Sequence, residues 1–595
     1  MCGIAGIMTV DGNSPPEDIL TKMSRALVHR GPDGTGHFNV DNIGVVHRRL
    51  AIIDIHGGDQ PLFSNETKLK GASKKVVLVA NGEIYNHLEL REKLGSHLFS
   101  TKSDCEAALR LYTKKGLDMN EDLRGMYALA IYDPRDKKLV LMRDPFGIKP
   151  LYYCENNLGF LFSSEPKAFI AAGAVIPSVD TSVRDEFTQL QFTSGRKTIY
   201  KTIRRLLPGE IIIVKGGHII KKIRPHVLSV QRYFSGTIQD GLERLEKILT
   251  ETVDIHQRSD VPYGMFFSGG IDSSALLTMM SRLNSKPVEA LTIGFSGTAA
   301  HDEREFARTL ANQLGANHSE VEFSSTDFWK LLPEVISFMD EPVADYAILP
   351  TYKLAAEARR MGLKVILSGE GGDEIFAGYG RYRRAVRPRI LGGRSMRFKG
   401  IFEGLGILRE FPKGWRDNLA AIEQKKYQME GTALQKIQAV DIESWLPNDL
   451  LTKLDRCLMA HSIEGRVPFL DLKLARFAFQ LPDNYKIKGR QGKWLLRRWL
   501  ERALPESQPF SRKRGFQVPV AEWIKHQGHR LGPLVAKQPG IVDLCQPDKI
   551  STLFSSSGKS IGEAQWILLF YALWHQQHIL GKGADGNVFD VLSSK

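Results

Sequence analysis

The chain has 595 residues, too many for one hydrophobic core, so roughly two to four domains are expected. Hydrophobic residues make up 42% and charged residues 25%, as in an ordinary globular enzyme, and no apolar run reaches the length of about 18 residues that a membrane helix needs. The five cysteines are scattered and show no C-x-x-C spacing, which argues against a disulfide framework or a zinc site. Together with the absence of a secretory-type N-terminus, this predicts a reducing, cytoplasmic setting.

The formal net charge of +14 raises the question of a nucleic-acid partner. The basic residues are clustered locally, and no zinc-finger, RNP or helix-turn-helix pattern accompanies them, so a solvated basic face is the favoured interpretation. Neither a nucleic-acid nor a membrane partner is expected. The two clusters are Arg381, Arg383, Arg384, Arg387 and Arg389, and Arg512, Lys513 and Arg514.

The first chemically notable residue is Cys2, which directly follows the initiator methionine. Because cysteine is small, Met1 is expected to be removed, leaving Cys2 with both a thiol and a free α-amine. Such an amine titrates near pH 7.7–8.0, so it can take the thiol proton without a histidine partner. Taken alone, a second-position cysteine is more often a small buried residue at the start of a strand.

Several further motifs accompany Cys2: His29-Arg30-Gly31-Pro32-Asp33, Arg49-Leu50-Ala51-Ile52-Ile53-Asp54, Asn81-Gly82-Glu83-Ile84-Tyr85-Asn86 and Ser103-Asp104-Cys105-Glu106. Together they resemble the class II glutamine amidotransferase domain, from Cys2 to about Gly209. The resemblance implies an α+β N-terminal-nucleophile hydrolase domain, with two stacked antiparallel sheets and outer helices.

The resemblance also implies roles at a glutaminase site. Cys2 would attack the glutamine amide, while the Asn81 side chain and the Gly82 backbone N–H, at the end of an apolar strand, stabilise the oxyanion. Arg49 would bind the substrate α-carboxylate, in a pairing that is naturally bidentate, and Asp104 its α-ammonium, with Glu83 nearby. The expected glutamine-binding residues are therefore Arg49, Asn81, Gly82, Glu83 and Asp104.

Apolar runs at 125–133 and 139–144 predict a hairpin of core strands. A basic segment punctuated by glycine follows the first domain and is interpreted as a linker. The predicted organisation is a glutaminase domain at 1–214, a linker at 215–234, a synthetase domain at 235–580 and a mobile tail at 581–595.

The second domain centres on an apolar strand that runs into Ser268-Gly269-Gly270-Ile271-Asp272-Ser273-Ser274, followed by a helical pattern. Glycines, hydroxyls and a helix N-terminus together suit a phosphate group. The loop does not end in lysine, so it is not the loop that grips β/γ-phosphates for γ-transfer, and its Asp272 suits Mg²⁺. An ordinary surface turn remains the alternative on these residues alone.

The loop resembles that of the PP-loop ATP pyrophosphatases, which release pyrophosphate and adenylate a substrate. The resemblance implies an α/β doubly wound parallel-sheet adenylating domain that uses ATP and Mg²⁺. The strand carrying Ile293 would contact adenine through its backbone, and Phe266 stands where a smaller aliphatic residue is expected. The expected ATP-binding residues are Phe266, Ser268, Gly269, Gly270, Asp272, Ser273, Ser274, Ile293, Ser368 and Gly369.

A second strand, Val365-Ile366-Leu367, ends in Ser368-Gly369-Glu370-Gly371-Gly372-Asp373-Glu374. This loop resembles that of asparagine synthetases. By that resemblance, Asp373 with Asp272 would hold Mg²⁺, Glu370 would act as a base near the acyl-adenylate, and Lys493 would stabilise charge on the phosphates. For Lys493, the alternative is an exposed lysine at the start of a helix.

Over about residues 2–580 the chain resembles glutamine-hydrolysing asparagine synthetases, with a helical C-terminal part. The resemblance implies glutamine, aspartate and ATP as substrates, an internal passage for ammonia, and a homodimer only as a family-level expectation. An amidotransferase of the same architecture that acts on a sugar acid or a peptide remains open, because no aspartate-binding motif is readable. A β-lactam synthetase relative is disfavoured by Cys2. Glu464, Arg466 and Asp471 are expected to form a structural ion-pair set near the acceptor pocket.

Overall fold

The computed structural model describes residues 1–64, 75–225, 228, 233–298, 302–511 and 517–594, without the side chain of Arg389. The predicted basic cluster at 512–514 lies outside this part of the chain. In the other cluster, Arg381 is bound to the buried carboxylate of Asp441, so at least this residue is not part of a free basic face.

The N-terminal domain contains two six-stranded sheets, with strand orders β10-β8-β9-β1-β3-β2 and β12-β11-β7-β6-β5-β4, and all their pairings are antiparallel. The strands are β1 (Gly3–Thr9), β2 (Gly34–Val40), β3 (Ile43–Arg49), β4 (Leu62–Phe63), β5 (Val77–Ile84), β6 (Gly125–Asp133), β7 (Lys138–Arg143), β8 (Tyr152–Asn156), β9 (Gly159–Ser163), β10 (Arg204–Arg205), β11 (Ile211–Lys215) and β12 (His218–Ile223). The helices are α1 (Glu17–Ala26), α2 (His87–Leu94), α3 (Cys105–Lys115), α4 (Lys167–Ala171) and α5 (Thr181–Leu190).

One apolar core lies between the two sheets, where Ile4 and Val45 of the first sheet join Val79 and Leu141 of the second. Alternate residues of β5 and β6 point the other way and pack against α2 and α3, while α1 and α4 cover the outer face of the first sheet. This layering follows from the two-residue period of strand side chains. It confirms the predicted fold class of stacked antiparallel sheets with outer helices.

Two details differ from the sequence predictions. Asn81 and Gly82 lie inside β5 and not at a strand end, because the pairing with β6 continues to Ile84. The segment expected to begin the linker at 215 instead forms β12, which pairs with β11 and belongs to the second sheet. Of the predicted linker, residues 226–227 and 229–232 lie outside the described part.

The C-terminal domain is built on a five-stranded parallel sheet with strand order β15-β14-β13-β16-β17. Its strands are β13 (Tyr263–Phe266), β14 (Glu289–Phe295), β15 (Asn317–Phe323), β16 (Val365–Leu367) and β17 (Glu464–Arg466). The strand order reverses between β13 and β16, and ligands of such sheets bind outside the strand ends at this point. The predicted doubly wound parallel-sheet domain is confirmed.

Helices surround this sheet and form the C-terminal part of the chain. They are α6 (Ile238–His256), α7 (Ile271–Leu283), α8 (Arg304–Gln313), α9 (Ser325–Phe338), α10 (Ile348–Arg360), α11 (Gly372–Ile375), α12 (Gly380–Ala385), α13 (Asp417–Tyr427), α14 (Ala433–Glu443), α15 (Leu451–Met459), α16 (Leu472–Gln480), α17 (Asp483–Lys486), α18 (Trp494–Ala503), α19 (Val520–Ala536), α20 (Pro539–Val542), α21 (Pro547–Ser555), α22 (Lys559–His578) and α23 (Val588–Ser593). None of the helices in the described ranges is both long and apolar enough to cross a membrane.

The last helix corrects the prediction of a mobile tail. Asn587 caps α23 by accepting hydrogen bonds from Phe589 and Asp590 N–H groups. Val588, Val591 and Leu592 of this helix are buried, next to α9, α19 and α22. The Gly/Ser-rich composition therefore describes the turn before α23 and misses the short apolar helix that follows it.

Candidate active sites

The first candidate site surrounds Cys2, immediately before β1. The backbone N–H of Cys2 donates to Asn81 Oδ1 over 3.0 Å. Asn81 is completely buried, and its Nδ2 has no hydrogen-bond partner among the described residues. A buried amide donor without a partner is costly unless it serves a ligand, and the oxyanion that forms on a carbonyl attacked by the Cys2 thiol fits this need. Burial raises the pKa of the Cys2 thiol, although the N-terminal ammonium opposes this.

Gly82 follows Asn81 at a point where β6 passes unusually close. A Cβ atom at position 82 would lie 2.1 Å from the carbonyl oxygen of Met126, so no larger residue fits there without moving β6. The glycine therefore allows the regular strand pairing that carries Asn81 to Cys2.

The residues predicted to hold glutamine lie in the same region. Arg49 ends β3, and its guanidinium donates to the carbonyl oxygens of Ile55 and Asp54 and to the Asp59 carboxylate, so the following loop fixes its direction. Asp104 accepts a 2.7 Å hydrogen bond from the Ile84 N–H. Glu83 is buried, and burial followed by the nearby charge of Asp104 raises the pKa of its carboxyl well above the usual range.

Behind the Cys2 site, the N-terminus contacts the other domain. The Met1 ammonium lies 2.9 Å from Glu464 Oε2, and both groups are completely buried. Glu464 also binds Arg466 over 2.6 Å, and Arg466 lies 3.3 Å from Glu83. Glu464 and Arg466 were expected near the acceptor pocket, but β17 carries them to the domain boundary.

Asp471 separates from these two residues. Its carboxylate binds the Arg124 guanidinium of the N-terminal domain through two hydrogen bonds, of 2.6 and 2.9 Å. The predicted three-residue ion-pair set therefore does not form. These residues instead connect the two domains at separate points.

The second candidate site begins where β13 ends and α7 starts. Gly269 has φ +68°, a left-handed conformation that favours glycine, and Gly270 precedes the first turn of the 13-residue helix. The Ser268 hydroxyl lies 3.2 Å from that of Ser273. Hydroxyls and the positive end of a long helix thus meet at one place, as an anion-binding site requires.

The neighbouring strand β16 brings the second predicted loop to this place. A Cβ atom at Gly369 would lie 3.0 Å from the Asp272 Cβ, and one at Gly372 would lie 2.5 Å from an Asp272 carboxylate oxygen. Ser368, which opens this loop, is buried and its N–H donates to the Arg466 carbonyl oxygen. The sheet order therefore places both loops against each other.

The remaining residues predicted to bind ATP lie around these loops. Ser274 is buried in the first turn of α7, and its hydroxyl has no partner among the described residues. Ile293 is 6% exposed in β14, where its side chain packs in the core. Phe266 ends β13 and is half-buried. Their roles remain predictions.

Lys493 connects the acids of the two loops. It is 1% exposed, precedes α18 with φ +56°, and its ammonium lies 2.7 Å from Asp373 Oδ1 while also contacting Asp272 Oδ2. The alternative of an exposed lysine is therefore wrong. Because both carboxylates reach one cation, Asp272 and Asp373 also offer the convergent oxygen donors that Mg²⁺ prefers.

Glu370, the predicted base, lies beside a lysine that was not predicted as a site residue. Lys453 of α15 is buried, and its ammonium lies 3.5 Å from Glu370 Oε1 and 2.8 Å from Asp345 Oδ2. Desolvation raises the pKa of the Glu370 carboxyl, although Lys453 opposes this. A raised carboxyl pKa suits a group that must accept a proton near neutral pH.

A cluster of buried charges between the domains was also missed. Arg30 donates to the Cys2 carbonyl oxygen over 3.1 Å and binds Glu165 and Asp455. Asp455 lies two residues after Lys453, on a helix whose nine residues are all buried. The sequence did carry a signal for this cluster. Four charged residues, Asp449, Lys453, Asp455 and Arg456, interrupt a leucine-rich stretch that is otherwise typical of a buried helix.

Comparison with known proteins shows which family has this architecture. The family model described as asparagine synthase matches residues 244–576, or 333 of the 595 residues. The chain belongs to the asparagine synthase family. The model described as a glutamine amidotransferase domain matches residues 1–224. The protein is thus an enzyme of the asparagine synthetase type, an ATP-dependent ligase with a glutamine-hydrolysing domain.

Several curated relatives span almost the same length. Asparagine synthetase [glutamine-hydrolyzing] 1 of Bacillus subtilis is 30% identical, with 97% of each chain covered. A putative asparagine synthetase of Mycobacterium tuberculosis strain H37Rv is 32% identical, again with 97% coverage of both. Asparagine synthetase B of Escherichia coli is 28% identical over 88% of this chain and 83% of that one.

Among solved structures, the glutamine phosphoribosylpyrophosphate amidotransferase of B. subtilis covers 54% of this chain, with 81% of its own length covered. Its TM-score is 0.28 at 15% identity, which is too slight a likeness to support any conclusion.

Proposed function

We propose that this enzyme makes asparagine from aspartate, with glutamine as the nitrogen donor and ATP as the energy source. The observation that carries the proposal is the pairing of two preorganised sites. The backbone of the buried Cys2 binds Asn81, whose amide N–H group has no partner among the described residues, and the two loops of the nucleotide site meet around Lys493.

At the first site, the Cys2 sulfur attacks the side-chain carbonyl of glutamine once Met1 has been removed. The freed α-amine takes the thiol proton and passes it to the leaving group, so that ammonia departs and a thioester remains for water to hydrolyse. Asn81 Nδ2 and the Gly82 N–H stabilise the oxyanion of each tetrahedral intermediate. Arg49, Asp104 and Glu83 orient the glutamine backbone groups.

At the second site, the β-carboxylate of aspartate attacks the α-phosphorus of ATP, which gives β-aspartyl-AMP and pyrophosphate. Ser268, Ser273 and the N-terminus of α7 hold phosphate oxygens, and Lys493 offsets the negative charge that builds on them. Bound by Asp272 and Asp373, Mg²⁺ would neutralise charge on the pyrophosphate oxygens.

Ammonia then attacks the acyl carbon, its surplus proton passes to Glu370, and AMP leaves as asparagine forms. Ammonia is mostly protonated in neutral water, so a sheltered path between the sites would preserve its reactivity. The buried contacts of Met1 with Glu464 and of Glu83 with Arg466 bring the Cys2 region against β17 of the synthetase domain, which supports a short route between the sites.

The identity of the acceptor is the most specific part of this proposal, since a sugar acid or a peptide carboxylate would undergo the same two half-reactions. A reducing, cytoplasmic setting belongs to the proposal as well, and it is supported by five buried cysteines that all carry free thiols. A homodimer is the assembly we would test first.

The deciding experiment incubates purified enzyme with Mg-ATP, glutamine and aspartate and follows asparagine, AMP and pyrophosphate by mass spectrometry. Equal yields of asparagine and AMP support the proposal. The variant Cys2→Ala is expected to lose glutamine-dependent synthesis and to retain synthesis from ammonium chloride. Glutamate release without asparagine would overturn aspartate as the acceptor, and synthesis from glutamine by Cys2→Ala would overturn the role of Cys2.

A further inference from the structure

The surroundings of Glu370 contain more acidic side chains than basic ones. Lys453 lies 2.8 Å from Asp345 and 3.5 Å from Glu370, and the buried Asp449 is a third acid whose charge acts on it. Arg397 also acts on Asp449, but its Nη1 is bound to Asp441. Three carboxylates therefore share the ammonium of Lys453.

Asp449 is the unusual member of this group. It lies in a π-helical turn, Leu446–Leu450, which leads directly into α15. Its side chain is completely buried, and neither carboxylate oxygen has a hydrogen-bond partner among the described residues. An unpartnered buried carboxyl costs stability, and groups of this kind are retained at functional sites.

The other two acids are open to a ligand. About 19% of the Asp345 side chain and 26% of the Glu370 side chain are exposed, whereas Lys453 behind them is 6% exposed. Asp345 Oδ1 accepts from the Ala347 N–H, which fixes the carboxylate in front of α10. A ligand that approaches Glu370 therefore meets a second, fixed carboxylate, with Asp449 behind it.

We propose that Asp345 binds a primary ammonium group of the acceptor, and that Asp449 reinforces this binding by adding its negative charge to the occupied pocket. The inference rests on the proposed function and deepens it, because it assigns the acceptor to the α-amino acids and excludes sugar acids. The acceptor's α-ammonium pairs with Asp345, which directs its side-chain carboxylate toward the nucleotide and leaves Glu370 near the acyl carbon.

Electrostatics favours the pocket with an ammonium bound to Asp345 over the empty pocket. Burial, followed by the charge of Asp345, raises the pKa of the Asp449 carboxyl well above its usual range. A bound ammonium would offset the charge of Asp345, and Lys453 would then be free to pair with Asp449, so both changes favour the ionised form of Asp449. Binding of a cationic group is thus coupled to the ionisation of Asp449, and each favours the other.

The test compares aspartate with succinate, which has the same two carboxylates and no amine. Pyrophosphate release is measured with ammonium chloride for the wild type, Asp345→Asn, Asp449→Asn and Asp327→Asn. The last is a matched control, because Asp327 binds Lys353 over 2.8 Å in the same domain, just as Asp345 binds Lys453.

We expect Asp345→Asn to raise the KM for aspartate by about 10- to 100-fold and to lower the preference for aspartate over succinate by the same factor. The KM values for ATP and ammonium should stay within about twofold of wild type. Asp449→Asn should lower the same preference to a smaller extent without lowering the melting temperature, because it removes a buried carboxyl that has no hydrogen-bond partner among the described residues. Asp327→Asn should behave as wild type.

An unchanged preference for aspartate over succinate in Asp345→Asn overturns the inference, as does a rise confined to the KM for ammonium. If Asp345→Asn does not fold, the preference measured in Asp449→Asn decides. The proposed function fails separately, if the wild type releases no pyrophosphate with aspartate. The inference then stands if another amino acid is turned over and its deamino analogue is not, and it falls if a sugar acid is the acceptor.

Discussion

Arg30 and Asp455 form a two-point ion pair across the domain boundary, with N–O distances of 2.7 and 3.0 Å and both side chains buried. Arg30 also donates to the carbonyl oxygen of Cys2, and Asp455 shares a short helix with Lys453, which contacts Glu370. One rigid helix thus touches structures at both candidate sites. A coupling between the sites therefore has a physical route, which measurements on variants must test.

Asp455→Asn is expected to destabilise the enzyme and to weaken this coupling. Removing one partner of a buried ion pair leaves the other charge poorly compensated, at a cost of about 3 kcal/mol. The urea denaturation midpoint should fall, and the ratio of glutamate formed to asparagine formed should rise. Asp18→Asn breaks the exposed pair with Lys22, whose side chains are 64% and 51% exposed, and should change neither. A wild-type midpoint for Asp455→Asn would contradict the importance of the pair.

Lys493→Met is expected to slow adenylation by about 10²- to 10³-fold and to leave the glutaminase intact. Methionine keeps most of the side-chain length but removes the ammonium between Asp272 and Asp373, so two carboxylates are left to repel each other and the phosphates. Losing one such electrostatic contact in a closed site costs about 10²- to 10³-fold in rate. Pyrophosphate release and glutamate release, measured separately, check this. Lys488→Met, at an exposed position of the same segment, is the control and should release pyrophosphate as wild type does. Pyrophosphate release at the wild-type rate by Lys493→Met would contradict the role assigned to Lys493.

The mature protein is expected to lack Met1. With Met1 present, Cys2 has a peptide N–H that donates to Asn81, and no amine is available as a base at this position. Intact-mass spectrometry of active enzyme should show the loss of one methionine. Cys2→Ala should lose Met1 too, since alanine is also small. Loss of Met1 from this variant would show that its removal does not depend on the Cys2 thiol. Full glutaminase activity in a preparation that retains Met1 would refute the amine as the base.

The sequence predicted local features better than contacts between distant segments. Both glycine-rich loops follow short strands as expected, because glycine, serine and helix periodicity leave local signals. The strand order that places Gly369 against Asp272 depends on tertiary packing, and local sequence patterns carry no information about it. Asp345 and Lys453 were missed as a pair for this reason, being more than 100 positions apart.

Boundary errors have similar physical causes. A basic, glycine-punctuated composition predicted a linker at 215, yet β12 needs only backbone pairing with β11, and its side chains are mostly exposed. An edge strand of this kind tolerates polar residues on both faces. Conversely, charged residues in the apolar stretch around Asp455 were a local signal, but its pairing with Arg30 could not be predicted because the two residues meet only in the folded state.

A final prediction concerns Lys486, whose completely buried ammonium donates to the Phe479 carbonyl oxygen over 2.8 Å. Burial lowers its pKa from 10.5 to about 7, and Asp483 only partly opposes this. In the unfolded chain the proton remains bound up to about pH 10.5, whereas the folded chain releases it near pH 7. Between these values the unfolded state binds more protons, so this group makes stability rise with pH, by about 1.4 kcal/mol per pH unit at most.

Lys486→Met removes that cost, and Phe479 keeps a donor because Gln435 also binds its carbonyl oxygen. The variant should therefore be more stable than wild type at pH 7, and this advantage should shrink steadily toward pH 10. Urea denaturation at several pH values measures it, with the exposed Lys488→Met as the control that should show no such trend. A stability difference that does not change with pH would mean that Lys486 keeps its proton in the folded protein over this range, with Phe479 and Gln438 replacing the lost water.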